Sequence, residues 1–376
     1  MVKSKLRLCF VGPAENITLR RWVRWFADKG HDATIVTVEP AETGETAGFH
    51  QIDISLPTLL RKLSRVISVV RLLKEIRKLK PDVVHVHYLR GLAWGLGLKP
   101  FHPTVVTPWG SDVLEEQGAF REWYSKRLTS AVIRMADLIA VHSDFLESKV
   151  RLLGPKPDSV VRIGWGVDLA RFRPGLAVEL LRRRWNIADD MPVIFSPRLA
   201  QRFYNHHLVV QALEEIRRAF PKIVLVISER FGDPAYLREL KTLVEQLRVS
   251  QHVRFVGRIP YEDMPLWFNL STLVVMIPES DGMPNTLFEA MACGAVPVLR
   301  DLPQYRELIR EDVNGKYVSA TPESVAEGVV TLLKAGERRQ EMASVNLSLV
   351  REVADQSKEM HRMEQWYYKL AGAASC

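Results

Sequence analysis

Glu279-Ser280-Asp281-Gly282-Met283-Pro284-Asn285-Thr286-Leu287-Phe288-Glu289-Ala290-Met291-Ala292-Cys293-Gly294-Ala295-Val296 follows one short apolar run, Leu273–Met276, and leads into another, Val296–Leu299. Strand, turn, helix and strand in that order form a βαβ unit, and such a unit implies a parallel sheet. The Gly282-Met283-Pro284 turn opens an amphipathic helix. It is expected to aim the backbone N–H groups of Met283, Asn285, Thr286 and Leu287 at a diphosphate, assisted by the helix dipole of roughly +0.5 charge. Pro284 has no N–H, and its ring suits the first helical positions. Asp281 and Glu289 lie about two helical turns apart, so one carboxylate can meet a sugar hydroxyl while the other takes both hydroxyls of a ribose. Each such charged hydrogen bond contributes roughly 1.5–3 kcal/mol. The same residues also read as an ordinary helix start with an acidic first turn and a buried Ala290–Gly294 face.

Outward from this unit, strand and helix patterns alternate along the whole chain. In the first half, strands are expected at Leu6–Val11, Ala33–Val38, Val83–His87, Thr104–Thr107, Leu138–His142 and Val160–Ile163, with helices near 16–29, 59–79, 120–135 and 143–153. In the second half they fall at Val193–Ser196, Ile223–Ser228, Val253–Val256, Leu273–Met276 and Val296–Leu299, with helices near 206–219, 234–248, 261–270 and 285–293. The fold class is therefore α/β, with two Rossmann-like doubly wound domains. Ligands of such sheets sit at the carboxyl ends of the strands, here expected in an interdomain cleft. Glycines and a proline between Gly164 and Pro174 break the pattern. The domains are drawn at 1–170 and 171–355, with a last helix in 356–376.

The 376 residues suffice for two domains of ordinary size. Cys9, Cys293 and Cys376 are too few and too scattered for a disulfide framework or a zinc spacing, which fits a reducing cytoplasm. The N-terminus reads as a first strand, and no run approaches the roughly 20 apolar residues of a membrane span. Residues 1–175 carry 27 Lys and Arg against 18 Asp and Glu, so the excess positive charge of the chain lies in its first half and points to an anionic partner. The helix at 59–79 shows an expected inward stripe of Leu59, Leu63, Val66, Val70 and Leu73. Its outer face and C-terminal end carry Arg61, Lys62, Arg65, Arg71, Lys74, Arg77, Lys78 and Lys80. That face is either solvated or a peripheral contact with an anionic membrane; Arg20, Arg21, Trp22, Arg24 and Trp25 favour the membrane. A nucleic-acid partner is not expected, because no recognition helix or aromatic–basic interleaving accompanies the charge.

The 279–296 segment resembles the Glu-x7-Glu signature of retaining glycosyltransferases of family 4, which have the GT-B architecture. Asp281 stands where the first Glu usually stands; being one methylene shorter, it implies a sugar held closer to the turn. In Phe195-Ser196-Pro197-Arg198-Leu199-Ala200-Gln201-Arg202-Phe203-Tyr204-Asn205, Arg198 matches the Arg of an Arg-x-Lys pair of phosphate clamps. Arg202 is the closest cation for the second role. Relatives commonly have Lys-Gly where this chain has Tyr204-Asn205. Thr107-Pro108-Trp109-Gly110-Ser111-Asp112 is similar to Thr-x-His-Gly-x-Asp, with Trp109 in place of a His that contacts the donor sugar; Trp cannot shuttle a proton. The Trp-Gly-Ser-Asp form resembles one branch of the family, in which segments like His85-Val86-His87-Tyr88 and Tyr204-Asn205 also occur. Asp112 either holds a sugar or acceptor hydroxyl or caps the next helix. Gly12 lies where relatives usually have Gly-Gly near donor and acceptor, and Asn16 reads as a ligand contact or an N-cap. Gly257 and Ile259, in Val256-Gly257-Arg258-Ile259-Pro260, resemble the loop that holds the base through backbone groups. In relatives the closing helix packs back on the first domain, which places 356–376 there.

His85 and His87 share a strand face, as metal ligands do, but no third ligand is evident and structural roles are favoured. The resemblance implies a retaining, metal-independent hexosyltransferase without a cofactor, using a nucleoside-diphosphate sugar as co-substrate. Arg198, Arg202, Asp281 and Asp112 are the catalytic candidates. Gly12, Trp109, Gly110, Gly257, Ile259, Met283, Asn285, Thr286, Leu287 and Glu289 are the donor-binding candidates. The acceptor is expected to be a lipid-linked or surface-polysaccharide intermediate at the inner face of the plasma membrane. The rival reading is a non-catalytic nucleotide-sugar-binding scaffold of a polysaccharide-assembly complex.

Overall fold

A computed structural model describes residues 5–38, 48–55, 64–98, 101–113, 119–229 and 232–374. The chain divides into two compact units, Met1–Trp165 with Ser357–Cys376, and Gly166–Gln356. The first unit runs β1 (Arg7–Val11), α1 (Ile17–Asp28), β2 (Asp32–Thr37), β3 (His50–Asp53), α2 (Ser64–Leu79), β4 (Val83–His87), α3 (Leu92–Leu98), β5 (Thr104–Thr107), α4 (Ala119–Met135), β6 (Leu138–Val141), α5 (Asp144–Arg151) and β7 (Val160–Arg162). Its strands are all parallel, in the order β3-β2-β1-β4-β5-β6-β7.

The two-residue period of a strand decides which face each side chain covers. On β1, Leu8 and Phe10 join one core with Trp22, Val23 and Phe26 of α1. Cys9 and Val11 join the other, with Leu72 and Ile76 of α2 and Ala93 and Leu96 of α3. Helix α3, with Gly95 and Gly97 in its sequence, has no clear helical signature. Its glycines are needed for contact: a Cβ on Gly95 would lie 2.5 Å from Val69, and one on Gly97 would lie 3.1 Å from Val132. On α2, Ser68, Leu72 and Ile76 face inward while Val70 is exposed. The expected stripe through Val70 is therefore rotated, because Val69 turns toward Gly95. Leu59, Arg61, Lys62 and Leu63 of that reading, and the side chains of Arg65 and Val66, lie outside the described residues.

The second unit runs α6 (Glu179–Arg184), β8 (Val193–Ser196), α7 (His206–Ala219), β9 (Val224–Ile227), α8 (Pro234–Gln246), β10 (Val253–Phe255), α9 (Met264–Leu270), β11 (Leu273–Met276), α10 (Asn285–Ala292), β12 (Val296–Arg300), β13 (Lys316–Val318), α11 (Pro322–Lys334) and α12 (Glu337–Val353). Its parallel sheet has the order β10-β9-β8-β11-β12-β13. Val193 and Phe195 of β8 face one core and Ile194 the other. The entering and leaving chains meet at Val167, whose N–H donates to the Ala354 carbonyl at 2.7 Å while the Gln356 N–H donates back to Val167 at 3.0 Å. Gly166 is required there: its φ is +68° and a Cβ would lie 2.3 Å from the Gln356 Cα.

The final helix, α13 (Gln356–Ala374), places Met360, Met363 and Tyr367 in the core of the first unit. The Tyr367 hydroxyl accepts from Trp22 Nε1 at 3.4 Å and sits 2.5 Å from His85 Nδ1, and His31 Nε2 pairs with Glu364 Oε1 at 3.1 Å.

Both sheets reverse their order of winding once, between β1 and β4 in the first unit and between β8 and β11 in the second. The loops leaving those strands diverge and open a crevice at their carboxyl ends.

Candidate functional site

At the switch point of the second unit, the loop after β8 carries Arg198 and the loop after β11 carries Asp281. The first loop is fixed from beneath by His206, the first residue of α7, whose side chain is fully buried. Its Nε2 donates to the Leu199 carbonyl at 2.9 Å, so Nδ1 accepts from the Ser196 hydroxyl at 2.8 Å. Burial pushes the His206 pKa down to about 4, which keeps that neutral tautomer in place. Asn205 closes the loop with φ +55°, a left-handed conformation that Asn tolerates. Its Nδ2 donates to the Ile277 carbonyl at 2.9 Å, joining the loop after β8 to the chain leaving β11.

Arg198 Nη2 lies 3.1 Å from Asp281 Oδ2 and 3.3 Å from Oδ1, and 3.4 Å from the Tyr204 hydroxyl. All these contacts use one nitrogen. Nε and Nη1 make no hydrogen bond among the described residues, and the side chain keeps 16% of its exposure. Burial works against the charge of Arg198, yet Asp281 and the neighbouring tyrosines hold its pKa above the ordinary arginine value. Burial raises the Asp281 carboxyl, opposed by Arg198 and by the Tyr305 hydroxyl, which donates to Oδ2 at 2.8 Å. Arg198 is thus a permanent, partly desolvated cation anchored at one end.

The turn after Asp281 differs from expectation in one respect. The Leu287 N–H donates to the Pro284 carbonyl at 3.0 Å, and its side chain is buried, so this amide is already committed. The N–H groups of Asn285 and Thr286, in the first turn of α10, have no acceptor among the described residues. Both residues are partly exposed. Met283 is buried in the core. Glu289 is also buried, with Oε1 accepting from the Tyr261 hydroxyl at 2.8 Å. No sequence signal pointed to Tyr261 or Tyr305; each lies in a short 3-10 turn that only the fold brings to these carboxylates.

Arg202 is placed elsewhere. Its guanidinium is bound to Glu239 and lies 5.3 Å from the centre of the Tyr236 ring, with 58% of the side chain exposed. The cause is the 3-10 turn Arg202–Tyr204, which directs Arg202 toward α8 while Tyr204 turns back to Arg198. The second clamp read from the sequence is therefore occupied by a surface ion pair. Gly257, with φ +51°, donates its N–H to Glu229 Oε2 at 3.1 Å, and Ile259 is buried in the core. A cavity of about 430 Å³ opens beside this loop, walled by Arg258, Pro260, Trp185, Leu180 and Trp267.

The switch point of the first unit holds a second cavity, of about 460 Å³, lined by Gly12, Thr37, His87, Tyr88, Arg90 and Trp94 among others. A Cβ on Gly12 would lie 3.0 Å from the His87 carbonyl oxygen, so a glycine is required where β1 leaves the sheet. His85 bonds Thr107 Oγ1 at 2.7 Å as well as Tyr367, which makes it structural. His87 is buried, neutral because burial lowers its pKa to about 3, and neither ring nitrogen has a hydrogen-bond partner among the described residues. The indole N–H of Trp109 is likewise buried without one. Asp112 faces inward, and residues 114–118, which bear on the helix-cap reading, lie outside the described residues. Its buried carboxylate accepts from the N–H groups of Trp109 and Gly110 at 2.9 Å each and of Leu89 at 2.6 Å, tying the loop after β5 to the loop after β4. Its catalytic reading gives way to that of a brace, and Gly110, at φ +109°, is the residue that lets the loop fold over it. Asn16 is the N-cap of α1, accepting from the Thr18 N–H at 2.8 Å.

Residues 7–143 match the family described as glycosyl transferase 4-like, and residues 178–346 match the family described as glycosyl transferases group 1. The chain is 27% identical over 215 residues to D-inositol 3-phosphate glycosyltransferase 1 of Catenulispora acidiphila, covering 54% of this chain and 50% of that protein. It is 27% identical over 213 residues to the GDP-mannose-dependent alpha-(1-6)-phosphatidylinositol monomannoside mannosyltransferase of Mycolicibacterium smegmatis, covering 54% of each. The chain spans about half the length of these curated relatives. Among solved structures, Anabaena HepE in complex with UDP-glucose superposes with a TM-score of 0.82 at 16% identity, covering 97% of this chain and 100% of that one. A glycosyltransferase from Rickettsia africae superposes with a TM-score of 0.79 at 16% identity, covering 98% and 99%. The chain thus joins a glycosyl transferase 4-like region to a glycosyl transferases group 1 region, on two Rossmann-like domains of the kind found in GT-B glycosyltransferases.

Proposed function

We propose that the protein is a retaining glycosyltransferase that moves a hexose from a nucleoside-diphosphate sugar to an acceptor hydroxyl. The observation that carries this reading is Arg198 at the switch point of the second sheet, anchored through Nη2 alone, with Nε and Nη1 left for an anion. The free amides of Asn285 and Thr286 belong to the turn that also carries Asp281, and a helix N-terminus there favours negative charge. As the glycosidic bond breaks, charge develops on the leaving diphosphate, where a preorganised guanidinium and backbone N–H groups stabilise it. The acceptor hydroxyl then attacks the same face of a short-lived oxocarbenium ion, and the leaving phosphate takes its proton. Positive charge comes from the protein, so the reading requires no divalent metal. Glu289 would hold the ribose hydroxyls, and the cavity beside 256–260 would hold the base.

The acceptor is assigned to the cavity of the first unit, which opens at the switch point of its sheet beside Gly12, Tyr88 and Arg90. A lipid-linked acceptor fits two facts. One relative is named for action on a phosphatidylinositol monomannoside, and α2 exposes Val70 beside Arg71, Lys74, Arg77 and Lys78. No helix among the described residues is long and apolar enough to cross a membrane; the contact would be peripheral, and flotation with anionic vesicles tests it. The diversion of Arg202 to Glu239 favours the second reading, a nucleotide-sugar binder without transfer. Thermal-shift screening against UDP, GDP, ADP and their sugars identifies the donor by mass action. Transfer or hydrolysis of that radiolabelled donor then separates enzyme from binder, and a screen in which no nucleotide raises the melting temperature defeats both readings.

A further inference from the structure

This inference rests on the donor-site reading above and concerns how the turn between β11 and α10 is held. That turn carries Asp281, the carboxylate left for the transferred sugar once Glu289 takes the ribose. Gly282 follows it with no side chain to anchor the turn, and the next side chain, Met283, lies in the core. Two neighbouring loops hold the backbone instead. From the loop after β8, Asn205 Nδ2 donates to the Ile277 carbonyl at 2.9 Å, and the Phe203 carbonyl accepts from the Glu279 N–H at 2.9 Å. From β12 and the segment beyond it, Arg300 Nη1 donates to the Pro278 carbonyl at 3.0 Å and Gln304 Nε2 to the Asp281 carbonyl at 2.5 Å.

Gln304 reaches furthest along the turn. It is buried, and it precedes Tyr305, whose hydroxyl donates to Asp281 Oδ2 at 2.8 Å. Two consecutive residues therefore fix Asp281 at both ends, one at its carbonyl and the other at its carboxylate. A trans peptide is planar, so the Gly282 N–H points away from the carbonyl that Gln304 holds. That N–H bonds the Asp281 carboxylate. A carboxylate has about four acceptor positions, so these contacts and Arg198 Nη2 at 3.1 Å leave room for a sugar hydroxyl. We propose that Gln304 is a positioning residue for the hexose: it sets the plane of the Asp281–Gly282 peptide, and so the point at which Asp281 presents its carboxylate to the sugar. The Asn285 and Thr286 amides are anchored separately, by the core side chains of Met283 and Leu287 on either side of them. Gln304 therefore acts on the sugar end of the donor more than on the diphosphate end.

The readout is a ratio of two dissociation constants, nucleotide sugar over free nucleoside diphosphate, because a residue that merely fills the core weakens both ligands alike. Calorimetry on the full chain with UDP, GDP, ADP, UDP-glucose, GDP-mannose and ADP-glucose first selects the pair that binds the wild type. Gln304→Met keeps the length of the side chain and removes its donor, and the ratio is expected to rise at least threefold. Gln304→Glu keeps the shape and puts an acceptor where the donor was; the same rise is expected, and this variant decides if Gln304→Met does not fold. Asp281→Ala should also raise the ratio at least threefold. Adding Gln304→Met to it should change the ratio by less than 1.5-fold, since the positioned carboxylate is already gone. If no pair binds the wild type, or Arg198→Ala binds the free nucleoside diphosphate as the wild type does, the donor-site reading fails and the positioning role with it. If Arg198→Ala is weakened as that reading requires, a rise below threefold in Gln304→Met or in Asp281→Ala, or a change of 1.5-fold or more on combining them, overturns the positioning role alone.

Discussion

Tyr204 lies beneath Arg198, its ring centre 4.7 Å from the guanidinium carbon and its hydroxyl 3.4 Å from Nη2. Ring and hydroxyl therefore do different work. The ring attracts the cation and shields it from water, a contribution of about 0.5–2 kcal/mol, whereas the long hydroxyl contact adds little.

Arg198→Ala is expected to remove roughly 2.7–4 kcal/mol of transition-state stabilisation, hence about 10²–10³ in kcat. Tyr204→Ala should lower kcat by about 2- to 30-fold through loss of the ring contact, and Tyr204→Phe should leave it close to normal. Steady-state rates at saturating donor check the series. An active Arg198→Ala enzyme would remove Arg198 from the chemistry.

The interior strands were legible because burial and periodicity coincide in them: an interior parallel strand is covered on both faces and shows as an apolar run. Of the four edge strands, β7 and β10 still carry valines that mark them, whereas β3 and β13, four and three residues long, have the partly exposed sequences His50–Asp53 and Lys316–Val318 and carry no such signal. Helix α3 was hidden by Gly95 and Gly97, which are there for contact with neighbouring helices rather than for helix propensity. The loops of the candidate site were legible as strand–turn–helix junctions. Side-chain partners were not, because Tyr305 lies 24 positions from Asp281 and Glu239 lies 37 from Arg202. Periodicity says which residues face inward; it does not say which carboxylate a given cation will meet.

His206 links the site to pH. Its pKa is depressed to about 4 by burial, against about 6.5 in an unfolded chain. Between those values the unfolded state binds the extra proton, so the neutral His206 contributes stability that is complete above pH 6.5 and is lost as pH falls toward 4. The full contribution is about 3 kcal/mol, from roughly 1.4 kcal/mol per pKa unit. Urea unfolding at pH 7.5, 5.5 and 4.5 should show this slope, and His206→Gln should flatten it. An unchanged slope in that variant would assign the acid sensitivity to other groups.

Tyr367 tests the return of α13 to the first unit. Tyr367→Phe keeps the ring among Phe10, Trp22 and Phe26 but leaves His85 Nδ1 and the Trp22 N–H without their partner. An unsatisfied buried group costs about 1–3 kcal/mol. Denaturation of the variant should show a loss in that range, with nucleotide affinity unaltered, because every donor-site residue proposed above in the second unit lies outside α13. A variant as stable as the wild type would mean that water replaces the hydroxyl.

Glu289 and Tyr261 provide the last separation. Glu289 is buried in α10 and its Oε1 accepts from the Tyr261 hydroxyl at 2.8 Å. If both ribose hydroxyls bind this carboxylate, Glu289→Gln exchanges a charged acceptor for an amide and loses one of the two bonds, a cost of about 1.5–3 kcal/mol or roughly 10- to 150-fold in nucleotide affinity. The 2′-deoxynucleoside diphosphate should suffer a similar loss against the wild type and little further loss against Glu289→Gln. Titration calorimetry with the ribo and deoxyribo forms measures both. Equal binding of the two forms by the wild type would show that Glu289 faces protein only and that the ribose is held elsewhere.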